Sequence, residues 1–199
     1  MCRNVWPCRA RTKYPYNCAV LGSSQRHTRP LENIMTLSAM IGTATEYDLD
    51  GIMALQEANQ PAQGGYLSAN LPRARIAEMM AVMPLVVARQ GEAICGFLMT
   101  STLAMNRDVP IIRAMLNAYP GAADAYVYGP VCVREDARGR GLAQAMYIEL
   151  RRLLPGREGI LFVRRDNPAS LRAHEKMGMR EVAGFIFDGN DCVVFSYSG

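Results

Sequence analysis

Residues 131–150, VCVREDARGRGLAQAMYIEL, constrain the fold more than any other stretch. An apolar alternation reads as a strand, and LAQAMYIELRRLL reads as an amphipathic helix. Between them lies a turn carrying Arg134, Arg138, Gly139, Arg140 and Gly141. Where a strand hands over to a helix, the first helical N–H groups lack an intrahelical partner, and the helix dipole adds partial positive charge. Glycines let a ligand approach the backbone closely, and arginines match phosphate oxygens with forked donors. Residues 138–143, RGRGLA, are therefore a phosphate cradle in physical terms. Neither GxxxxGK[ST] nor GxGxxG with a following acid on a second strand is present, which excludes the two commonest nucleotide loops.

The rest of the chain supplies elements around this unit. TLSAMIGTA reads as a first strand, and EYDLDGIMALQEAN as a helix with Leu49, Ile52, Met53, Leu55 and Gln56 on one stripe. LPRARIAEMMAVM is a second helix with Pro72 in its first turn. PLVVARQGEAICGFLMTS predicts a hairpin turning at Gln90-Gly91. Residues 102–124 are too long for a simple turn and suit a recognition segment. AYVYGPVCV is a strand in which Gly129-Pro130 predicts a bulge. GILFVRR is a short apolar strand. NPASLRAHEKMG is a helix with Asn167 as N-cap, Pro168 at its first position and Gly178 past its end. REVAGFIF and DCVVFSYS close the chain as a hairpin around DGN. Seven strands and four helices in this order predict a mixed α/β (α+β) domain with a mostly antiparallel sheet.

Charge narrows the partners. Six basic residues precede the first acid, Glu32, and the remaining 16 face all 18 acids. The basicity belongs to residues 1–35, and the body, 36–199, is slightly acidic, which removes the usual charge argument for nucleic-acid binding. Residues 1–35 show no hydrophobic period and no apolar signal core, and read as a disordered leader or a non-native start. No apolar run approaches the roughly 18 residues of a membrane span. No CxxC or CxxH pair occurs, so no metal site is expected. Cys95, Cys132 and Cys192 lie in apolar strands and read as buried thiols of a reducing compartment, the cytoplasm.

Two segments together carry a family resemblance. RGRGLA resembles the Arg/Gln-x-x-Gly-x-Gly/Ala pyrophosphate motif of the GNAT superfamily of N-acetyltransferases, and NPASLRAHEKMGM resembles that family's second signature, in order and with one strand between. The resemblance covers residues 36–199. It implies a central sheet of six to seven strands, flanked by four helices and splayed at the acyl-CoA site. It implies acetyl-CoA as acyl donor, with its pyrophosphate on Arg138, Gly139, Arg140, Gly141, Leu142 and Ala143. The pantetheine arm would run along Val131, Cys132 and Val133 and meet Asn167 and Ser170. The acceptor would be a small-molecule or protein amine, and a homodimer is one expected assembly.

The chemistry is acyl transfer by direct attack of the amine. The family's proton-donating Tyr is replaced here by His174, which helical spacing places on an inward stripe with Ser170, Leu171, Ala173 and Met177. For the base, Asp124 at the start of the strand and Tyr128 are the weaker candidates. Tyr126 and Tyr128 are expected to alternate onto one face of the strand with Cys132. The other reading is an acyl-CoA-binding module of the same fold without turnover.

Overall fold

The computed structural model describes residues 39–67 and 69–199; the expectation for residues 1–35 lies outside them. In chain order the elements are β1 (Met40–Thr43), α1 (Leu49–Ala58), α2 (Arg73–Val82), β2 (Val86–Gln90), β3 (Ala93–Thr102) and α3 (Pro110–Ala118). There follow β4 (Tyr126–Val133), α4 (Leu142–Leu153), β5 (Glu158–Arg164), α5 (Pro168–Lys176), β6 (Arg180–Phe187) and β7 (Asn190–Ser198). The seven strands form one sheet in the order β1-β2-β3-β4-β5-β7-β6. Every neighbouring pair is antiparallel except β4 with β5.

One face of the sheet packs under α4, where Met146, Tyr147 and Leu150 meet Tyr126, Tyr128, Leu161, Val163 and Phe195. On the other face, α1 and α2 cover Val87, Phe97 and Met99, while α3 sets Ile112 and Met115 on Val127, Ile160 and Val194. The helix α3 is a fifth helix, inside the 102–124 segment read from the sequence as too long for a simple turn. Pro110 sits in its first turn, where a missing N–H costs nothing. Apolar residues at 111, 112, 115 and 116 then give it a one-sided stripe.

One turn moves and the other falls where the sequence puts it. The β2–β3 hairpin turns at Gly91-Glu92, because Gln90 still pairs with Ala93. The turn Asp188-Gly189 of the last hairpin has positive φ at both residues (47° and 73°), the geometry that matches strand twist. The larger correction concerns β4. Leu98 pairs with Val131 but Thr100 with Tyr128, so β4 carries one extra residue at Gly129-Pro130. Side chains in a strand alternate, so one extra residue inverts the alternation beyond it. Tyr126 and Tyr128 therefore share the α4 face with Val131 and Val133, whereas Cys132 turns to the α1–α2 face, next to Phe97.

Polar side chains fix the first helix. Arg89 grips Asp48 with Nε on Oδ1 (2.8 Å) and Nη2 on Oδ2 (2.6 Å), and Nη2 also donates to the Thr43 carbonyl (3.0 Å). The Thr45 amide and hydroxyl donate to the same carboxylate (2.7 and 2.9 Å). β1, β2 and the start of α1 are thus tied at one point. Gln56, nearly fully buried, exchanges hydrogen bonds with Leu71 and donates to Asn70 (3.1 Å), which holds the segment between α1 and α2.

Candidate active site

The parallel pair at the centre of the sheet separates almost as soon as it forms. β4 meets β5 only at Tyr126–Gly159 and Val127–Ile160. β5 continues beside β7 as far as Arg164–Cys192, while β4 follows β3 to Val133. Among the described residues, the β4 backbone from Tyr128 onward thus has no ladder partner on its β5 side. A strand edge of this kind offers N–H and C=O groups to an extended ligand. Val131 and Val133, the predicted pantetheine neighbours, lie on it, with Cys132 between them.

The edge leads into the cradle. Gly139 and Gly141 have φ of 73° and 77°, values that side-chain-bearing residues adopt only with strain. A Cβ on either would meet nothing within 4 Å, so both face open space. Gly141 is the N-cap of α4 and no side chain caps that helix. The first hydrogen bond returning to it is Ala145 N to Gly141 O (2.9 Å), which leaves the Leu142, Ala143 and Gln144 amides without an intrahelical acceptor. Arg140 is exposed. Arg138 instead ties the cradle to its neighbours. Its Nε donates to the Val133 carbonyl (3.1 Å) and its Nη2 to Asn59 Oδ1 (2.6 Å). Its amide is also used, donating to Glu135 (3.2 Å). Asn59, the C-cap of α1, itself donates to the Leu55 carbonyl (2.8 Å). Sequence reasoning misses Asn59, and nothing local could find a partner 79 positions away.

On the α4 face of the opening lies an aromatic cluster. The Tyr128 ring stands edge-on to His174 (centroids 5.7 Å), Tyr197 (5.7 Å) and Tyr147 (6.3 Å). His174 stacks on Phe195 at 6.2 Å. Tyr126 and Tyr197 share a short hydroxyl–hydroxyl hydrogen bond. His174 is 3% exposed and Tyr128 likewise 3%. His174 Nδ1 lies 2.8 Å from the Ser170 carbonyl. A carbonyl can only accept, so Nδ1 carries the proton and the neutral ring presents an acceptor at Nε2. Burial pulls the imidazole below its ordinary 6.5, against a smaller upward effect of the Ser170 bond. Among the described residues, His174 Nε2 and the Tyr128 hydroxyl have no hydrogen-bond partner. Burial pushes the Tyr128 phenol far up.

Ser170 and Asn167 belong to the same corner: Asn167 Oδ1 accepts from the Ser170 amide (3.1 Å), the helix cap read from the sequence. Cys132 is buried, and burial pushes its thiol up to about 11 despite the charge of Arg138. Asp124 is not brought to this group. It is exposed before the start of β4, four residues from Tyr128 and so about 13 Å along the strand. Its carbonyl accepts from Arg157 Nε (3.0 Å) and Nη2 (2.8 Å). Among the described residues no cluster of His, Cys, Asp and Glu could hold a metal ion, and no helix is long and apolar enough to cross a membrane.

Comparison with known proteins fits this geometry. No curated protein matches the sequence. Of the solved structures, Ard1 from Thermoplasma volcanium is 15% identical with a TM-score of 0.61, over 81% of this chain and 97% of that one. A GNAT superfamily phosphinothricin acetyltransferase from Sinorhizobium meliloti, in complex with AcCoA, is 20% identical (TM-score 0.58; 81% and 88% covered). The ribosomal-protein-alanine N-acetyltransferase from Brucella melitensis is 18% identical (TM-score 0.58; 80% and 99% covered). At these identities the structures show a shared fold. The acetyltransferase (GNAT) family model matches residues 52–179, from within α1 to just past α5 and across both the cradle and the Asn167 helix. The chain belongs to the acetyltransferase (GNAT) family.

Proposed function

We propose that this acetyltransferase moves an acetyl group from acetyl-CoA to a primary amine by direct attack of the amine. The observation that carries the reading is the β4–β5 opening that runs into an uncapped, glycine-lined helix N-terminus. The residues fit the donor: positive-φ glycines facing open space and unpaired amides suit a pyrophosphate. The Leu142 and Ala143 amides with the exposed Arg140 would hold it, and the Val131–Val133 edge would hold an extended arm. Asn167 and Ser170 would meet the same arm. Acetyl-CoA, when bound, supplies an acyl carbonyl activated as a thioester.

Cys132 favours direct attack over an acyl-enzyme. A thiol near 11 stays protonated at neutral pH and is a poor nucleophile. Cys132→Ala should therefore keep turnover within about threefold of the parent chain, since no covalent step depends on the thiol. A collapse of turnover in a folded Cys132→Ala protein would point instead to a covalent route through the thiol.

The deciding experiment is thiol release from acetyl-CoA against a panel of amines, beside thermal shift with acetyl-CoA and with ATP. Stabilisation by acetyl-CoA with amine-dependent thiol release supports the enzyme. Stabilisation without release for any amine supports a binding module of the same fold. Stabilisation by ATP alone overturns the reading. The same reading includes a cytoplasmic location, a small-molecule or protein amine as acceptor, and a homodimer as the assembly to look for by sedimentation.

A further inference from the structure

The proposed donor has to match two places at once, the β4 edge at Val131–Val133 and the free amides at the start of α4. Residues 134–141 link them. A single helical turn, Glu135–Ala137, opens the link, and Gly139 and Gly141, both at positive φ, close it. Glycines leave a link free to move, so a contact from outside it is needed to fix the spacing of the two places.

Arg138 supplies that contact. The Arg134 amide donates to the Cys95 carbonyl on β3 (2.8 Å). In an antiparallel pair a residue turns both backbone groups to one side, and its neighbours turn theirs to the other. Val133 therefore turns its N–H and C=O toward the open edge. Arg138 Nε takes that carbonyl (3.1 Å), and Nη2 takes Asn59 Oδ1 (2.6 Å). The charge of Arg138 also acts on Cys132, whose side chain lies on the α1–α2 face. The head of Arg138 is thus turned toward α1, whereas α4 packs on the other face of the sheet.

We infer that Asn59 is a positioning residue for the acyl donor, acting through Arg138: it holds the guanidinium on the Val133 carbonyl and so keeps edge and cradle at one spacing before the donor arrives. The inference rests on the acetyl-CoA reading above. Asn59 is 7% exposed and is itself anchored, its Nδ2 donating to the Leu55 carbonyl (2.8 Å). That bond settles its orientation and leaves Oδ1 for the guanidinium. Ordering one long side chain only at the moment of binding weakens a complex about two- to tenfold, and the Asn59 anchor removes that penalty beforehand. Two consequences follow for the donor. The Val133 carbonyl is already used, so an extended arm finds the Val133 N–H and both backbone groups of Val131. Arg138 serves geometry, and the phosphate charge falls to the α4 amides and the exposed Arg140.

The test uses the full chain and two probes: acetyl-CoA, which spans edge and cradle, and phosphoadenosine diphosphate, its nucleotide end, which reaches the cradle alone. Asn59→Ala removes the anchor. Arg138→Lys keeps the charge but loses the fork that bridges Val133 and Asn59. Each should weaken acetyl-CoA binding about three- to tenfold by calorimetry. The double variant should be no more than about twofold weaker than the worse single, because one strut cannot be lost twice. The nucleotide should bind all three variants within about twofold of wild type, and turnover at saturating acetyl-CoA should hold within the same margin, so that KM rises and kcat does not fall. A residue that only stabilises the fold would lower Tm and leave acetyl-CoA affinity unchanged.

Acetyl-CoA affinity within about twofold of wild type in Arg138→Lys overturns the strut, and so does a double variant whose losses multiply. Parallel loss of both probes in Arg138→Lys makes Arg138 a phosphate ligand and overturns it equally. Asn59→Ala also gives up the Leu55 bond; if it does not fold, Arg138→Lys, which leaves that bond in place, decides with the two probes. A wild-type chain that acetyl-CoA does not stabilise sinks the acetyl-CoA reading and this inference with it. Wild-type protection with unaffected variants sinks the inference alone.

Discussion

Gly141→Glu is expected to yield a folded protein that acetyl-CoA no longer protects against heat. The left-handed conformation at φ 77° will cost a side-chain-bearing residue about 1–2 kcal/mol. Nothing within 4 Å obstructs the new Cβ, so the carboxylate extends into the space in front of α4. There it meets the unpaired Leu142, Ala143 and Gln144 amides and gains about 0.3–1 kcal/mol from the helix dipole. The substitution thus offsets part of its own strain while filling the cradle with negative charge. A ligand at about a hundred times its Kd stabilises a protein by about 2.7 kcal/mol, and this shift should disappear. Arg138→Ala is a less clean probe, since Arg138 also bonds Val133 and Asn59. Protection of a folded Gly141→Glu chain equal to wild type would place the pyrophosphate elsewhere.

Asp48→Asn should be the most damaging polar substitution outside the site. Asp48 is 9% exposed at its side chain and Arg89 23%. Burial by itself raises the Asp48 pKa, but the bonds from Arg89 and Thr45 outweigh it and the net shift is downward. The amide keeps one acceptor oxygen and loses the charge that Arg89 was desolvated to meet. A loss of about 2–3 kcal/mol is expected, at the lower edge of broken buried pairs because Arg89 retains some water. For a chain of this size that is roughly 4–12 °C in Tm. The pH dependence has a definite sign. A carboxylate with a depressed pKa contributes fully above its unfolded value, about 3.9, and loses that contribution as pH falls through the lower folded value. The gap between wild type and Asp48→Asn should therefore be constant near neutrality and close below about pH 4. Calorimetry at neutral pH and again about one unit below that point measures both values.

The parts of the fold legible in the sequence are those with local chemistry. Asn167, Pro168 and Gly178 bracket α5 because capping depends on neighbours a few positions away. The 138–143 cradle is readable for the same reason. The helix α3 is hidden by its context: nine residues between Asn106-Arg107-Asp108 and Tyr119-Pro120-Gly121, segments rich in turn formers. Its stripe at Ile111, Ile112, Met115 and Leu116 is present but short. The side of β4 on which Cys132 falls escapes sequence reading because Gly129-Pro130 signals a bulge without stating its effect on parity. The Arg138–Asn59 bond and the Tyr128–His174 approach join positions brought together only by the sheet order, beyond the reach of periodicity.

The extra residue in β4 bears on how this chain tolerates length changes. In a surface loop, losing one residue is a local event. Removing Pro130 alone would make β4 regular and exchange the faces of every side chain between the bulge and Val133. Val131 and Val133 would be driven toward Phe97, and Cys132 would be thrust among the tyrosines. A single-codon deletion here is equivalent to three simultaneous core substitutions, and a compensating insertion restores the pattern only if it falls before Val131. Length variation in this half of the molecule is thereby channelled into segments such as 103–109, where no strand keeps count.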